Sequence, residues 1–147
     1  MPKHFEYLIQ FAATPSEIFR VLTDTARWRH SKIYGDIEWT GQPWSVGSTR
    51  TVETLVPFHA RHDQKVLAVH ENELLSVLSH GFGYTNHTQI VLKRLPTTGT
   101  EVLYLIDIEG KLPLLFGFVI EEFVARFMES YVPELRRLCG ENVVSPS

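Results

Sequence analysis

Cysteine is almost absent from this 147-residue chain. Cys139 stands alone, which excludes an internal disulfide framework and leaves a hydrophobic core to hold the fold. Long apolar runs are missing too. No stretch reaches the roughly 20 apolar residues of a membrane-spanning helix, and the opening MPKHFEYLIQF lacks the apolar segment of a signal peptide. The expectation is a soluble, cytoplasmic protein with no integral membrane association. Positive charge is in deficit: 14 Lys and Arg stand against 17 Asp and Glu, a formal net charge of −3. That balance gives no support to a nucleic-acid-binding surface, so no nucleic-acid partner is expected. Gly-rich phosphate loop, nucleophile elbow and Cys–His spacing are all lacking, and no cofactor is expected. No period repeats along the chain, which excludes an array.

What is present is apolar and aromatic. Hydrophobic residues make up 44% and aromatic residues 12%, with 21% charged, a globular balance at the length of one domain. We read a single domain over 1–147, its core at about 4–139 and a short C-terminal tail at 140–147. The longest patterned stretch is Leu112 to Cys139. Phe116, Ile120, Phe123, Phe127, Tyr131 and Leu135 recur there at spacings of three and four, the period of one helical face. One helix over this stretch would span roughly 40 Å. It cannot bury its aromatic stripe alone.

Most of the chain upstream reads as strands. From His4 to Ala12, Phe5, Tyr7, Ile9 and Phe11 alternate with polar residues. Thr14-Pro15-Ser16-Glu17 is a capping box with Pro at the first helical position. It opens a short helix, and Ala26 to His30 forms a second. Ile33, Ile37 and Trp39 share one parity before the turn at Gly41-Gln42-Pro43. Further strands are Ser48 to Val56, Lys65 to His70 and Leu74 to His80, with a turn at Pro57-Phe58-His59-Ala60. In Gly81-Phe82-Gly83-Tyr84, a hairpin turn centred on Gly83-Tyr84 would set Val77 opposite Ile90, Leu75 opposite Leu92 and His80 across from His87. A last hairpin through Pro96-Thr97-Thr98-Gly99 returns as Glu101 to Glu109, with Val102, Tyr104, Ile106 and Ile108 facing in. The fold class is α+β: strand, two short helices, six strands, one long helix.

That order resembles the START-like, or Bet v 1-like, superfamily (the SRPBCC group), and within it the small polyketide cyclase/dehydrase type. The residues that carry the likeness are FEYLIQFAATPSEIFRVLTD, RWRHSKIYGDIEWTGQPWSVGSTRT and LKRLPTTGTEVLYLIDIEG. The resemblance implies a helix-grip fold, in which a seven-stranded curved antiparallel sheet grips the long C-terminal helix around an apolar cavity. Its members bind hydrophobic or amphipathic small molecules, lipid- or polyketide-like. The implied alternatives are a polyketide cyclase or dehydratase, or a protein-partnering module.

In that frame the candidate cavity residues are Tyr7, Trp39, Val77, Ile90 and Tyr104 on strands, with Phe116, Ile120, Phe123 and Phe127 on the helix. The competing reading of such a stripe is a solid core. Arg50 and Glu53 stand three apart on one strand, so they point to opposite faces. One should face the cavity, and Val52 and Leu55 leave open which. An inward Arg would hold a ligand carboxylate or phenolate. Trp28 and Trp44 lie near predicted loop ends, as closers of a mouth or as surface packing. His59, His62 and Asp63 fall in a predicted turn without a third metal ligand at fixed spacing, and no metal is expected. Cys139, near a helix C-terminus, is read as inert. No acid–base pair is securely placed, so no catalytic residue is assigned and the chain is read as a binder. Leu103 and Leu105 point outward from the last strand, and a homodimer is the cheaper reading of that face.

Overall fold

A computed structural model describes residues 3–141. Seven strands form one antiparallel sheet in the order β1-β7-β6-β5-β4-β3-β2. They are β1 (Lys3–Phe11), β2 (Tyr34–Thr40), β3 (Thr49–Thr54), β4 (Ala60–His70), β5 (Leu74–Gly81), β6 (Tyr84–Arg94) and β7 (Thr100–Glu109). Between β1 and β2 lie α1 (Pro15–Leu22) and α2 (Thr25–Arg29), and after β7 come α3 (Lys111–Leu115) and α4 (Gly117–Leu138). This is the helix-grip arrangement. Among the described residues, no helix is long and apolar enough to cross a membrane.

Alternation sets the faces. In β1, Phe5, Tyr7, Ile9 and Phe11 turn inward while His4, Glu6, Leu8 and Gln10 are exposed. β7 repeats the pattern with Val102, Tyr104, Ile106 and Ile108 buried. The two strands pair with Tyr7 opposite Tyr104. Residues Ile120, Val124, Met128, Tyr131 and Leu135 of α4 share one core with Phe11, Ile37, Val52, Leu75 and Ile106 of the sheet. Fully burying each such side chain contributes roughly 1.5–3 kcal/mol, which is why the sheet and α4 stabilise each other. The capping box at α1 forms as expected: the Glu17 N–H donates to Thr14 Oγ1, and the Thr14 N–H donates to Glu17 Oε1.

Three expectations are corrected. The C-terminal helix is not continuous from Leu112: Phe116 has φ −132° and ψ 50°, outside helical geometry, and separates α3 from α4. Apolar spacing could not show the break, because Phe116 keeps the periodic position while leaving the helix. The strand expected from Lys65 begins at Ala60, so His62 and Asp63 lie in a strand and not a turn. The β5–β6 hairpin turns on Phe82-Gly83, with Gly81 paired to Tyr84. Its positive φ, 78°, falls on Gly83, the second central residue, whereas a type II′ turn needs it on the first. Leu75 therefore faces Ile90, Val77 faces Thr88 and His80 faces Thr85. A slip of two residues leaves every side chain on its expected face, so face matching could not reveal it.

Candidate functional site

Between the concave face and α4 lies a cavity of about 510 Å³. Its wall draws on β2 to β7, on α4 and on the segments around Trp28 and Trp44, but not on β1. Val77, Ile90, Tyr104, Ile120, Phe123 and Phe127 line it, and so does Arg50.

The inner end is aromatic and tightly bonded. Trp28 stacks on Tyr131 with centroids 5.4 Å apart and planes at 6°, and meets Tyr34 edge-on at 5.5 Å. The Tyr104 and Tyr131 hydroxyls are 2.7 Å apart. Burial drives both phenols well above their ordinary pKa, so they stay neutral and spend their polarity on each other. Trp28 donates its indole N–H to Val21 O at 2.8 Å. Below this end, Glu134 is 4% exposed and accepts from the Lys32 N–H and from Arg137 Nε, each at 2.5 Å. The Arg137 bond lowers the Glu134 pKa, against burial.

Arg50 is the charged group set among the indoles of the wall, which Arg61 also lines. Arg50 Nε donates to Gln64 Oε1 at 2.7 Å, and its guanidinium lies over Trp44 at 4.7 Å and Trp39 at 5.2 Å. Burial pulls its pKa down. Among the described residues it forms no ion pair. Pairing register extends the polarity across the sheet: Arg50 faces Gln64, Gln64 faces Ser79, and Ser79 faces Asn86. All four line the cavity, a polar row across four strands in a mostly apolar wall.

A second polar group sits one level along. Tyr84 OH lies 2.6 Å from His62 Nδ1, and His62 Nε2 lies 3.2 Å from Thr54 Oγ1. Burial lowers the His62 pKa, and burial pushes the Tyr84 phenol up to about 12. Gly81 makes the contact feasible. A Cβ there would stand 2.3–2.5 Å from the Tyr84 ring, so only glycine lets Tyr84 lie across β5 and reach β4.

Three of the residues assigned to the cavity, Tyr7, Trp39 and Phe116, lie elsewhere, and the choice left open between Arg50 and Glu53 falls to Arg50. Glu53 points to the outer face, into a shallow cleft with Asp36, Glu38, Thr51 and Arg61; Val52, fully buried, holds the opposite parity inward together with Arg50. Tyr7 sits on edge strand β1, which supplies no part of the wall. Trp39 is covered by Arg50 and by Trp44, which meets it edge-on at 5.3 Å, and it donates to Thr25 Oγ1 at 2.9 Å. Phe116 is 47% exposed at the break between α3 and α4. Trp28 is not a mouth residue but a buried one, 4% exposed. Trp44 lines the cavity beside Arg50. His87 does not meet His80; its Nε2 lies 2.8 Å from Ser76 Oγ on the outer face. Burial raises the Cys139 thiol to about 12, which makes it a poor nucleophile.

Polar wall residues left out of the sequence reading include His62, Gln64, Ser79, Tyr84 and Asn86. A signal did exist for two of them. Ser79 shares parity with Leu75 and Val77, and Asn86 shares it with Ile90, so each is a polar side chain on an apolar face.

Comparison with solved structures agrees on the architecture. The ZhuI aromatase/cyclase from Streptomyces sp. R1128 superposes with a TM-score of 0.80 at 10% identity, over 99% of this chain and 98% of its own. The chain has the Bet v 1-like helix-grip fold. Norcoclaurine synthase from Thalictrum flavum matches at TM-score 0.74 and 14% identity, over 95% of this chain and 94% of that one. Ara h 8.0201 matches at 0.73 and 13%, over 95% and 97%. Identities this low carry the fold alone. No family model and no curated protein matches the sequence.

Proposed function

We propose that this helix-grip protein binds an amphipathic small molecule, apolar over most of its length and anionic at one end, inside the cavity. The observation that carries the reading is Arg50. A desolvated guanidinium is costly unless paired, yet Arg50 has one neutral hydrogen-bond acceptor, Gln64, and two indole faces. Its terminal nitrogens donate to no protein atom among the described residues. A ligand carboxylate or phenolate placed there would receive two charge-assisted bonds. The cavity volume lies within the range of small-molecule sites, and the aromatic wall suits a flat or extended apolar body. Fold likeness to a cyclase and to a synthase supports a cavity that admits organic ligands.

The test is a titration with 2-naphthoate and its neutral methyl ester. Wild type should bind the acid more tightly, and Arg50→Leu should weaken the acid about tenfold or more while sparing the ester. Equal affinity for acid and ester in wild type, or an Arg50→Leu variant that keeps the acid, would overturn the reading. Native mass spectrometry of protein purified from its own host would give the mass of any acid that co-purifies.

A further inference from the structure

We propose that Tyr84 is a second polar anchor of this cavity, whose phenolic oxygen accepts a hydrogen bond from a hydroxyl group of the ligand. The ligand class is thereby narrowed to hydroxylated apolar acids. This rests on the amphipathic-acid reading above and adds a second fixed point to it.

The direction of the bond follows from where the hydrogen-bond chain ends. Thr54 Oγ1 lies 3.3 Å from Ala60 O, which can only accept, and we assign the threonine's single proton to that bond. The Thr54 oxygen is then the acceptor for His62 Nε2–H at 3.2 Å. A neutral imidazole protonated on Nε2 has a bare Nδ1, and it takes the Tyr84 proton at 2.6 Å. Burial keeps His62 neutral and Tyr84 a phenol at ordinary pH. With its only proton committed to His62, Tyr84 has lone pairs left to offer, and it lines the cavity. It rejects a bare carbonyl or ether oxygen and welcomes an O–H.

Placement supports two anchors for one molecule. His62 pairs with Val52, two residues along β3 from Arg50, which puts the Cα atoms of Arg50 and His62 roughly 8 Å apart from strand spacing and rise. The two anchors thus stand at neighbouring levels of one wall, within reach of a single fused-ring or medium-length ligand carrying groups at both ends. Gly81 shows that the arrangement is built: the Tyr84–His62 bond requires a residue without a side chain beneath the ring.

The experiment compares 2-naphthoate, 6-hydroxy-2-naphthoate and 6-methoxy-2-naphthoate on wild type, Tyr84→Phe and Gly81→Ala. Wild type should favour the hydroxy acid about fivefold over the other two, the worth of one neutral hydrogen bond. Tyr84→Phe should erase that preference, bringing the hydroxy acid to the affinity that 2-naphthoate has for the same variant. Gly81→Ala should also erase the preference for the hydroxy acid, by displacing the ring. If 2-naphthoate binds through Arg50 but the hydroxy acid gains nothing, or if the methoxy acid gains as much, the Tyr84 anchor is wrong and the acid-binding reading stands. If none of the three acids binds, the reading of the cavity itself fails.

Discussion

The two ends of the cavity use aromatic residues in opposite ways. At the inner end, Trp28, Tyr104 and Tyr131 are 3–5% exposed; Trp28 stacks on Tyr131, and Tyr104 meets Tyr131 edge-on and through its hydroxyl. At the rim, Phe58, Phe82 and Val119 line the same cavity while 58%, 97% and 46% exposed. One aromatic contact joins the rim residue Phe58 to α4, edge-on to Phe123 at 5.3 Å. The inner end has the packing of a protein core, with each polar tip matched by a partner. The rim has apolar surface with few neighbours, so its local opening costs little. Tight packing and open apolar surface are thus assigned to different ends of one cavity. Arg50 and the His62–Tyr84 pair belong to the wall that joins them.

The largest effect expected is at the inner end. Tyr131→Ala removes the stack on Trp28 and the bond to Tyr104, and should lower unfolding free energy by about 3–5 kcal/mol. Urea denaturation with an unchanged m-value would measure it. A loss below about 1 kcal/mol would show that this end is no better packed than the rim.

Phe123→Ala tests the boundary between the two regimes. Phe123 lines the cavity and is only partly buried, so part of its surface already lacks protein neighbours. Its truncation should cost clearly less than the core range of about 3–5 kcal/mol and should change the affinity of an apolar fluorescent probe. A full core penalty, with no probe bound by either protein, would move Phe123 to the packed side of the comparison.

The smallest effect is a titration. Burial holds His62 below its ordinary 6.5, while hydrogen bonds to Asp107 and then Glu6 raise exposed His4 above it. Between the native His62 value and about 6.5 the unfolded chain binds more protons at this site than the folded one. The His62 contribution to stability is therefore lost as pH falls through that window; His4 contributes with the opposite sign. NMR titration of the ring signals should place His62 below His4. A His62 that titrates at or above 6.5 would mean that water reaches this part of the wall freely.

Legibility followed the same division. Where the inward face packs against protein it is apolar, and β1 and β7 could be read residue by residue from alternation. Where the inward face lines the cavity it is partly polar, and the reading found its apolar residues but missed most of the polar ones. The start of β4, Ala60-Arg61-His62-Asp63-Gln64, looks like a turn because its inward residues His62 and Gln64 are wall groups and not core. The three residues wrongly assigned to the cavity, Tyr7, Trp39 and Phe116, were chosen by parity or period. Those rules report a face, not whether an empty volume lies in front of it.

The order of elements, the inward face of most strands and the start of α1 are determined by the sequence itself, because strand and helix periods and capping act over a few neighbouring residues. Only the tertiary structure decided that Arg50 faces in and Glu53 out, since Val52 and Leu55 offer apolar neighbours to either parity. It also decided the β5–β6 register, which local pattern leaves degenerate at steps of two. The meeting of Tyr84 with His62 follows from both. They stand 22 residues apart, and they touch only because that register puts Gly81, with no side chain, between them.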